Sequence, residues 1–161
     1  MRNTFIAILM ALGTTFVLAQ SQRSKPIKNM NPRQGTIVGV SRPTKVTGEG
    51  TMTPSGVQYW DIQTGEGTPA TKGHAVKVVY TAWIENGKQF ASSMSDGKPP
   101  IFTLGAGQVI PGWEEGVEGM KVGGKRQLKI PPNLAYGAEG VPSLVPPNAA
   151  LIFDVELIEL Q

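Results

Sequence analysis

Side chains able to move a proton, attack a carbon or hold a metal are scarce in this 161-residue chain. His74 is the sole histidine and cysteine is absent. A thiolate nucleophile, a thiolate metal site and a disulfide are therefore excluded, and a Ser-His-Asp or multi-histidine set lacks its parts. No phosphate-cradling loop of the Walker type occurs. His74 stands in the turn Lys72-Gly73-His74 and reads as an exposed loop residue. Glu114 and Glu115 are adjacent, so on a helix their carboxylates diverge and make a poor acid and base pair. What remains is a set of aromatic and branched residues: Tyr80, Phe90, Val109, Ile110, Trp113, Tyr136, Leu144, Val145 and Phe153. Spacing alone makes them an ordinary core. Several, however, flank the loops Val109-Ile110-Pro111-Gly112-Trp113 and 141–147, and loop residues more often line a cavity than fill one.

The elements that must hold this set are mostly strands. Val76, Val78 and Tyr80 alternate with Lys77, Val79 and Thr81, and Glu85-Asn86-Gly87-Lys88 carries an Asn-Gly hairpin turn. Over 125–130, Leu128 and Ile130 oppose Lys125, Gln127 and Lys129. Over 151–157, Leu151, Phe153, Val155 and Leu157 oppose Asp154 and Glu156. Each pattern predicts a half-buried antiparallel strand. Helical spacing is found once, at Trp113, Val117 and Met120, with Glu114 and Glu115 in the first turn where the helix dipole favours acids. Gly116 and Gly119 weaken this helix, so packing across the concave face of a sheet must sustain it. The expected fold class is α+β, a curved antiparallel half-barrel sheet wrapped around one short α-helix.

The first third of the chain is different in kind. Met1 to Thr4 carries a charge and 5–19 form an apolar run ending in small residues, the pattern of a secretory signal. The run is shorter than the ~20 residues that span a bilayer, and no stable membrane span is expected after cleavage. Residues 20–53 are expected to be a basic, proline-containing, disordered linker, within which only 36–40 has strand character. Residues 54–161 are the predicted domain. Charge divides along the same line. Residues 1–48 hold seven Lys/Arg and no acid, whereas 49–161 hold eight basic against twelve acidic residues, a net of −4. The positive charge thus lies where folding is least expected, which argues against a nucleic-acid partner and leaves an anionic surface as the one reading that charge alone offers the tail.

Over roughly 57–160 the sequence resembles the FKBP family of peptidyl-prolyl cis-trans isomerases. The resemblance is carried by VVYTAWIENGKQFASS at 78–93, LGAGQVIPGWEEGVEGMKVGGKRQLKIPPNLAYG at 104–137 and VPPNAALIFDVELIEL at 145–160. It implies a half-barrel sheet around a helix and an apolar pocket for a prolyl ring. In that pocket Trp113 would be the floor, with Tyr80, Phe90 and Phe153 as aromatic walls. Val109 and Ile110 would form the edge, the Ile110 N–H bonding a ligand carbonyl. Tyr136 would reach the bound peptide through its hydroxyl, and Leu144 and Val145 would cover the pocket. It also implies proline-containing polypeptides as partners, weak macrolide binding, no metal or cofactor, and a monomer, while the signal-like start at 1–19 implies an exported, periplasmic or secreted location.

Three positions depart from the family pattern. Ala91 stands where an aspartate usually follows Phe90, Pro100 where an aromatic precedes Phe102, and Ala82 where glycine follows Tyr80-Thr81. The missing carboxylate would have held pocket tyrosines and polar ligand groups, so weaker catalysis is expected with the apolar floor intact. A binding or chaperone-like module that holds proline-containing chains with incidental turnover is the alternative.

Overall fold

A computed structural model describes residues 42–161. The expected signal at 1–19, and the linker as far as residue 41 with its strand-like run, lie outside the described residues. Seven strands are present: β1 (Thr51–Met52), β2 (Gln58–Gln63), β3 (Ala75–Ile84), β4 (Gln89–Ser92), β5 (Ile101–Thr103), β6 (Lys125–Ile130) and β7 (Leu151–Leu160). They form one antiparallel sheet in the order β1-β2-β6-β7-β3-β4, with β5 also paired to β3. The fold class is the one expected: an open antiparallel sheet with a short helix, α2 (Pro111–Val117), against its inner face.

The strand alternation holds on that inner face. Val76, Val78, Leu128, Ile130, Leu151, Phe153, Val155 and Leu157 are all fully buried, and they join one hydrophobic cluster with Trp113 and Val117 of α2. Pro111 opens α2 at a position where its missing N–H costs nothing. Gly116 is the reason the helix can lie so low: a Cβ there would stand 2.6 Å from Leu128 Cδ1. Gly112 makes the same approach to Ile130. The glycines that weaken the helix in isolation thus let it dock. Its carbonyl end is capped from the sheet, since buried Arg126 on β6 donates to Gly116 O at 2.9 Å and Glu118 O at 3.2 Å. The same guanidinium pairs with Asp61 at 2.6 Å and lies 4.1 Å over the Tyr59 ring.

Four particulars differ from expectation. Met120 is buried but lies beyond α2, because Gly119 turns the chain at a φ of 84°. A one-turn helix α1 (Ser93–Asp96) and a 3-10 turn (Pro132–Leu134) are present, both too short to leave a periodic signal. The outer face is not uniformly polar and wet, for Trp83 and Asp154 are 0% exposed. Residues 44–52, expected within the linker, bond to the domain across that face. Thr44 donates from its N and Oγ1 to Asp154 Oδ2 at 2.8 and 2.7 Å, and its carbonyl accepts from Gln127 Nε2 at 2.7 Å. Gln127 Nε2 also donates to Asp154 Oδ1 at 2.7 Å. Further along, Gly48 O accepts from Trp60 Nε1 at 3.1 Å and Gln58 Nε2 bonds Glu49 O, before β1 pairs with β2. A buried carboxylate needs donors, and here the segment before the expected domain boundary supplies two of the three.

Candidate active site

The sheet and α2 bring most of the nine candidate residues into one place. Tyr80 comes from β3 and Phe153 from β7, whose pairing sets Ala82 opposite Phe153 and Tyr80 opposite Val155. Both side chains therefore point to the inner face. Trp113 rises from the first turn of α2 and meets them edge to face: the Trp113–Tyr80 centroids lie 4.9 Å apart at 85° and the Trp113–Phe153 centroids 5.4 Å apart at 84°. Tyr80 and Phe153 are 6.3 Å apart. Such geometry aligns ring edges with ring faces and adds about 0.5–1.5 kcal/mol per pair to simple burial.

Phe90 arrives by a β-bulge. Ala91 pairs with Ala82 and Gln89 with Trp83, which leaves Phe90 as the extra residue on β4. A bulge re-aims its side chain, and the ring comes to 6.2 Å from Phe153 at 81°. Ser93 fixes this corner: its hydroxyl accepts from Tyr80 N at 2.9 Å.

Ile110 is the N-cap of α2, with φ −58° and ψ 145°. Its carbonyl accepts from Trp113 N at 2.9 Å, while its own N–H enters no hydrogen bond among the described residues. The loop that delivers Val109 and Ile110 is fastened at two points. Glu114 Oε1 accepts from Gly107 N at 2.8 Å, and Gln108 Oε1 accepts from Thr103 N at 2.8 Å. Neither residue carried a signal for this task in the sequence, where Glu114 stood out as half of a poor carboxylate pair and as an acid in the first turn of the helix. Phe102, 5.7 Å from Trp113, is a further member that was missed; its place in the short strand β5 offers too little alternation to mark it.

Burial grades the set into floor and rim. Trp113 and Phe153 are 1% and 0% exposed, and Tyr80, Ile110 and Val145 are also buried. Phe90, Val109 and Tyr136 pack against the cluster half-buried, so they carry the accessible surface. Leu144 is not brought in: it is 38% exposed and stands outside the cluster. The Trp113 Nε1–H is buried without an acceptor among the described residues. Burial also pushes the Tyr136 hydroxyl up to a pKa of about 12, so it is a proton-bearing donor throughout the physiological range. Ala91 is half-buried against the cluster, and Pro100 likewise brings no aromatic ring to it. His74 lies apart, its Nδ1 accepting from Thr71 N at 3.2 Å within its own turn. No group of three or more His, Cys, Asp or Glu able to hold a metal is found among the described residues.

Among the described residues the arrangement offers apolar surface, the unbonded Ile110 N–H and the Tyr136 hydroxyl. It fits recognition of an apolar ring beside a carbonyl.

The sequence model described as FKBP-type peptidyl-prolyl cis-trans isomerase matches residues 66–158. A relative from Neisseria meningitidis serogroup B, named FK506-binding protein, is 52% identical over 100 residues, covering 62% of this chain and 92% of its own. Among solved structures, AtFKBP13 superposes with a TM-score of 0.64 at 43% identity, covering 68% of this chain and 97% of that one. FkpA from Escherichia coli gives 0.64 at 41% identity over 70% of this chain, which spans about half, 52%, of the FkpA chain.

Proposed function

The chain belongs to the FKBP-type peptidyl-prolyl cis-trans isomerase family, and from that premise we propose that the cluster around Trp113 seats a prolyl ring and turns over X-Pro bonds of exported polypeptides. The observation that carries this reading is the edge-to-face packing of Tyr80 and Phe153 on Trp113, with Phe90 on Phe153, beside the unused N–H of Ile110.

The energetics suit a site without acid or base. Rotation about a peptide bond breaks amide resonance against a barrier of ~18–20 kcal/mol, and an X-Pro bond takes tens to hundreds of seconds unaided. The twisted amide has lost resonance, and its carbonyl and nitrogen act more independently. A dry apolar seat for the ring, with Ile110 N–H and the Tyr136 hydroxyl bonding carbonyls of the twisted form, favours the transition state over either planar isomer. Each 1.36 kcal/mol of that preference gives about tenfold in rate.

Ala91 tempers the proposal. With no carboxylate on β4 beside Tyr80 and Phe90, catalysis and macrolide binding are weaker than in a member carrying aspartate there. Ala91→Asp should raise kcat/KM on a proline-containing test peptide; an equal or lower value would refute this role. The same residue favours a second reading, a module that holds proline-containing chains with incidental turnover. A proline-isomerisation assay separates the two: acceleration at micromolar protein supports catalysis as the task, and retained peptide binding without acceleration supports the module. Export rests on the signal-like residues 1–19. Expression in a bacterial host should release a mature chain that begins at Gln20, and an uncleaved cytoplasmic product would contradict it.

A further inference from the structure

A row of side chains crosses the outer face of the sheet behind the aromatic cluster. The strand registers set Trp60, Gln127, Asp154, Thr81 and Ser92 side by side on β2, β6, β7, β3 and β4. Asp154 follows Phe153 in β7 and Thr81 follows Tyr80 in β3, so the row and the walls of the cluster share backbone. We propose that Thr44 is a positioning residue for this site: by tying Asp154 from the far side of the sheet, it holds Tyr80, Phe90 and Phe153 in place around Trp113. This inference rests on the proline-site reading given above.

The row is dry. Gln127, Asp154, Thr81 and Ser92 are all buried, whereas the outer face of an antiparallel sheet is commonly solvated. Polar groups buried together must satisfy one another. Among the described residues Asp154 accepts three hydrogen bonds, two of them from Thr44 N and Oγ1 and the third from Gln127 Nε2. Gln127 Nε2 also donates to Thr44 O. One end of the row closes where Trp60 Nε1 donates to Gly48 O. At the other end, Thr81 Oγ1 and Ser92 Oγ meet at 3.3 Å.

Ser92 carries the row into the site. Its Oγ accepts from Met94 N at 3.3 Å, capping α1, and donates to Tyr80 O at 3.4 Å. That spends the one hydrogen of the Ser92 hydroxyl, so Thr81 is the donor in their pair. Phe90, two residues before Ser92, is the bulged residue whose ring meets Phe153. A deficit at Asp154 therefore passes sideways. When Thr44 stops donating, the hydroxyl next in register to the carboxylate is that of Thr81, with Cβ atoms about 4.5–5.5 Å apart in such a cross-strand pair. Thr81 has one hydroxyl hydrogen to give, and turning it to Asp154 takes it from Ser92. The bond that is missing then lies at the β4 corner, next to Tyr80 and Phe90. A misplacement of about 1 Å at a site can cost up to about a hundredfold in rate, so a partial release of one wall is enough to register.

The test uses the full chain and a tetrapeptide with one X-Pro bond, at a temperature where the unfolding curve of every variant is still flat. Thr44→Val should lower kcat by about threefold to tenfold with KM kept within about twofold, because Trp113 and the Ile110 N–H, which hold the planar substrate, are untouched. Thr44→Ser, which keeps the hydroxyl, should run at the wild-type rate. Thr81→Val should show a similar fall, and the double variant should fall no further than the slower single one, since changes on one route do not add. The NMR shift of the Trp113 indole N–H, on the ring that Tyr80 and Phe153 meet edge to face, should move in Thr44→Val and stay in Thr44→Ser. A role in stability alone leaves that native-state shift where it is. With wild type active, an undiminished kcat or an unmoved indole shift in Thr44→Val overturns the proposal and leaves the proline site standing. So does a Thr44→Ser as slow as Thr44→Val, or a double variant in which the two falls multiply. A wild type that does not accelerate the tetrapeptide overturns both.

Discussion

Replacing Thr44 by valine should weaken the domain from a position that the sequence places in its linker. The side chain keeps its shape and loses one donor, the hydroxyl 2.7 Å from Asp154 Oδ2. Asp154 is fully buried, so the lost bond leaves a carboxylate lone pair without compensation. Two donors then remain, Thr44 N at 2.8 Å and Gln127 Nε2 at 2.7 Å. A hydrogen bond to a charged group contributes ~1.5–3 kcal/mol, and about 2 kcal/mol is the expected loss. For a domain slightly above 100 residues, that lowers Tm by roughly 8–12 °C. Urea unfolding of the full chain, followed by tryptophan fluorescence, measures it as a lower midpoint with an unchanged slope. The partner assignment has its own control. In an Asp154→Asn background the Thr44→Val change should cost under about 0.5 kcal/mol, because a neutral amide gives the hydroxyl a weaker acceptor. A midpoint in Thr44→Val equal to wild type would refute the claim that this segment completes the domain.

Gly116→Ala should destabilise by about 1–3 kcal/mol even though alanine is the better helix former by about 1 kcal/mol, since its Cβ would stand 2.6 Å from Leu128 Cδ1; a gain in Tm would show that α2 rides higher on the sheet. The Tyr136 pKa, raised by burial to about 12, favours the protonated folded form. Its contribution to stability is therefore full below the unfolded value near 10, and is lost as pH rises through the folded one. Tyr136→Phe should remove this alkaline loss, as read by unfolding midpoints from pH 9 to 12, while activity in wild type stays flat between about pH 6 and 9.

The inner face of the fold could be read from the sequence because its signal is local. Phe153 is marked as inward by Leu151, Val155 and Leu157 at a period of two, and the Asn86-Gly87 pair marks the hairpin by its need for positive φ, found at 91° for Gly87. Trp113 and Val117 are marked by helical spacing. The outer face could not be read this way. Asp154 looks like an ordinary solvated strand residue until Thr44, 110 positions earlier, is seen to cover it. Composition misleads further, because Pro43, Lys45, Gly48 and Gly50 suggest chain without partners, whereas the backbone carbonyls of Thr44, Gly48 and Glu49 are what Gln127, Trp60 and Gln58 bind. Within the site, the aromatic identities were legible and their support was not. The bulge at Phe90 depends on pairing register, and the grip of Glu114 on Gly107 depends on a loop conformation that neither periodicity nor propensity encodes.

The central claim is that an apolar ring seat lowers the barrier to amide twisting with no proton in flight. It is tested most directly by the isomerase kcat/KM of wild type and Phe153→Leu, each shown folded by its thermal transition, in H₂O and in D₂O. Leucine keeps the core filled and removes the ring that Trp113 meets at 5.4 Å. The account predicts a fall of about tenfold or more, near 1.4 kcal/mol of transition-state preference, with a solvent isotope ratio near one for both proteins. An undiminished rate in Phe153→Leu, or an isotope ratio of about two or above in wild type, would contradict it.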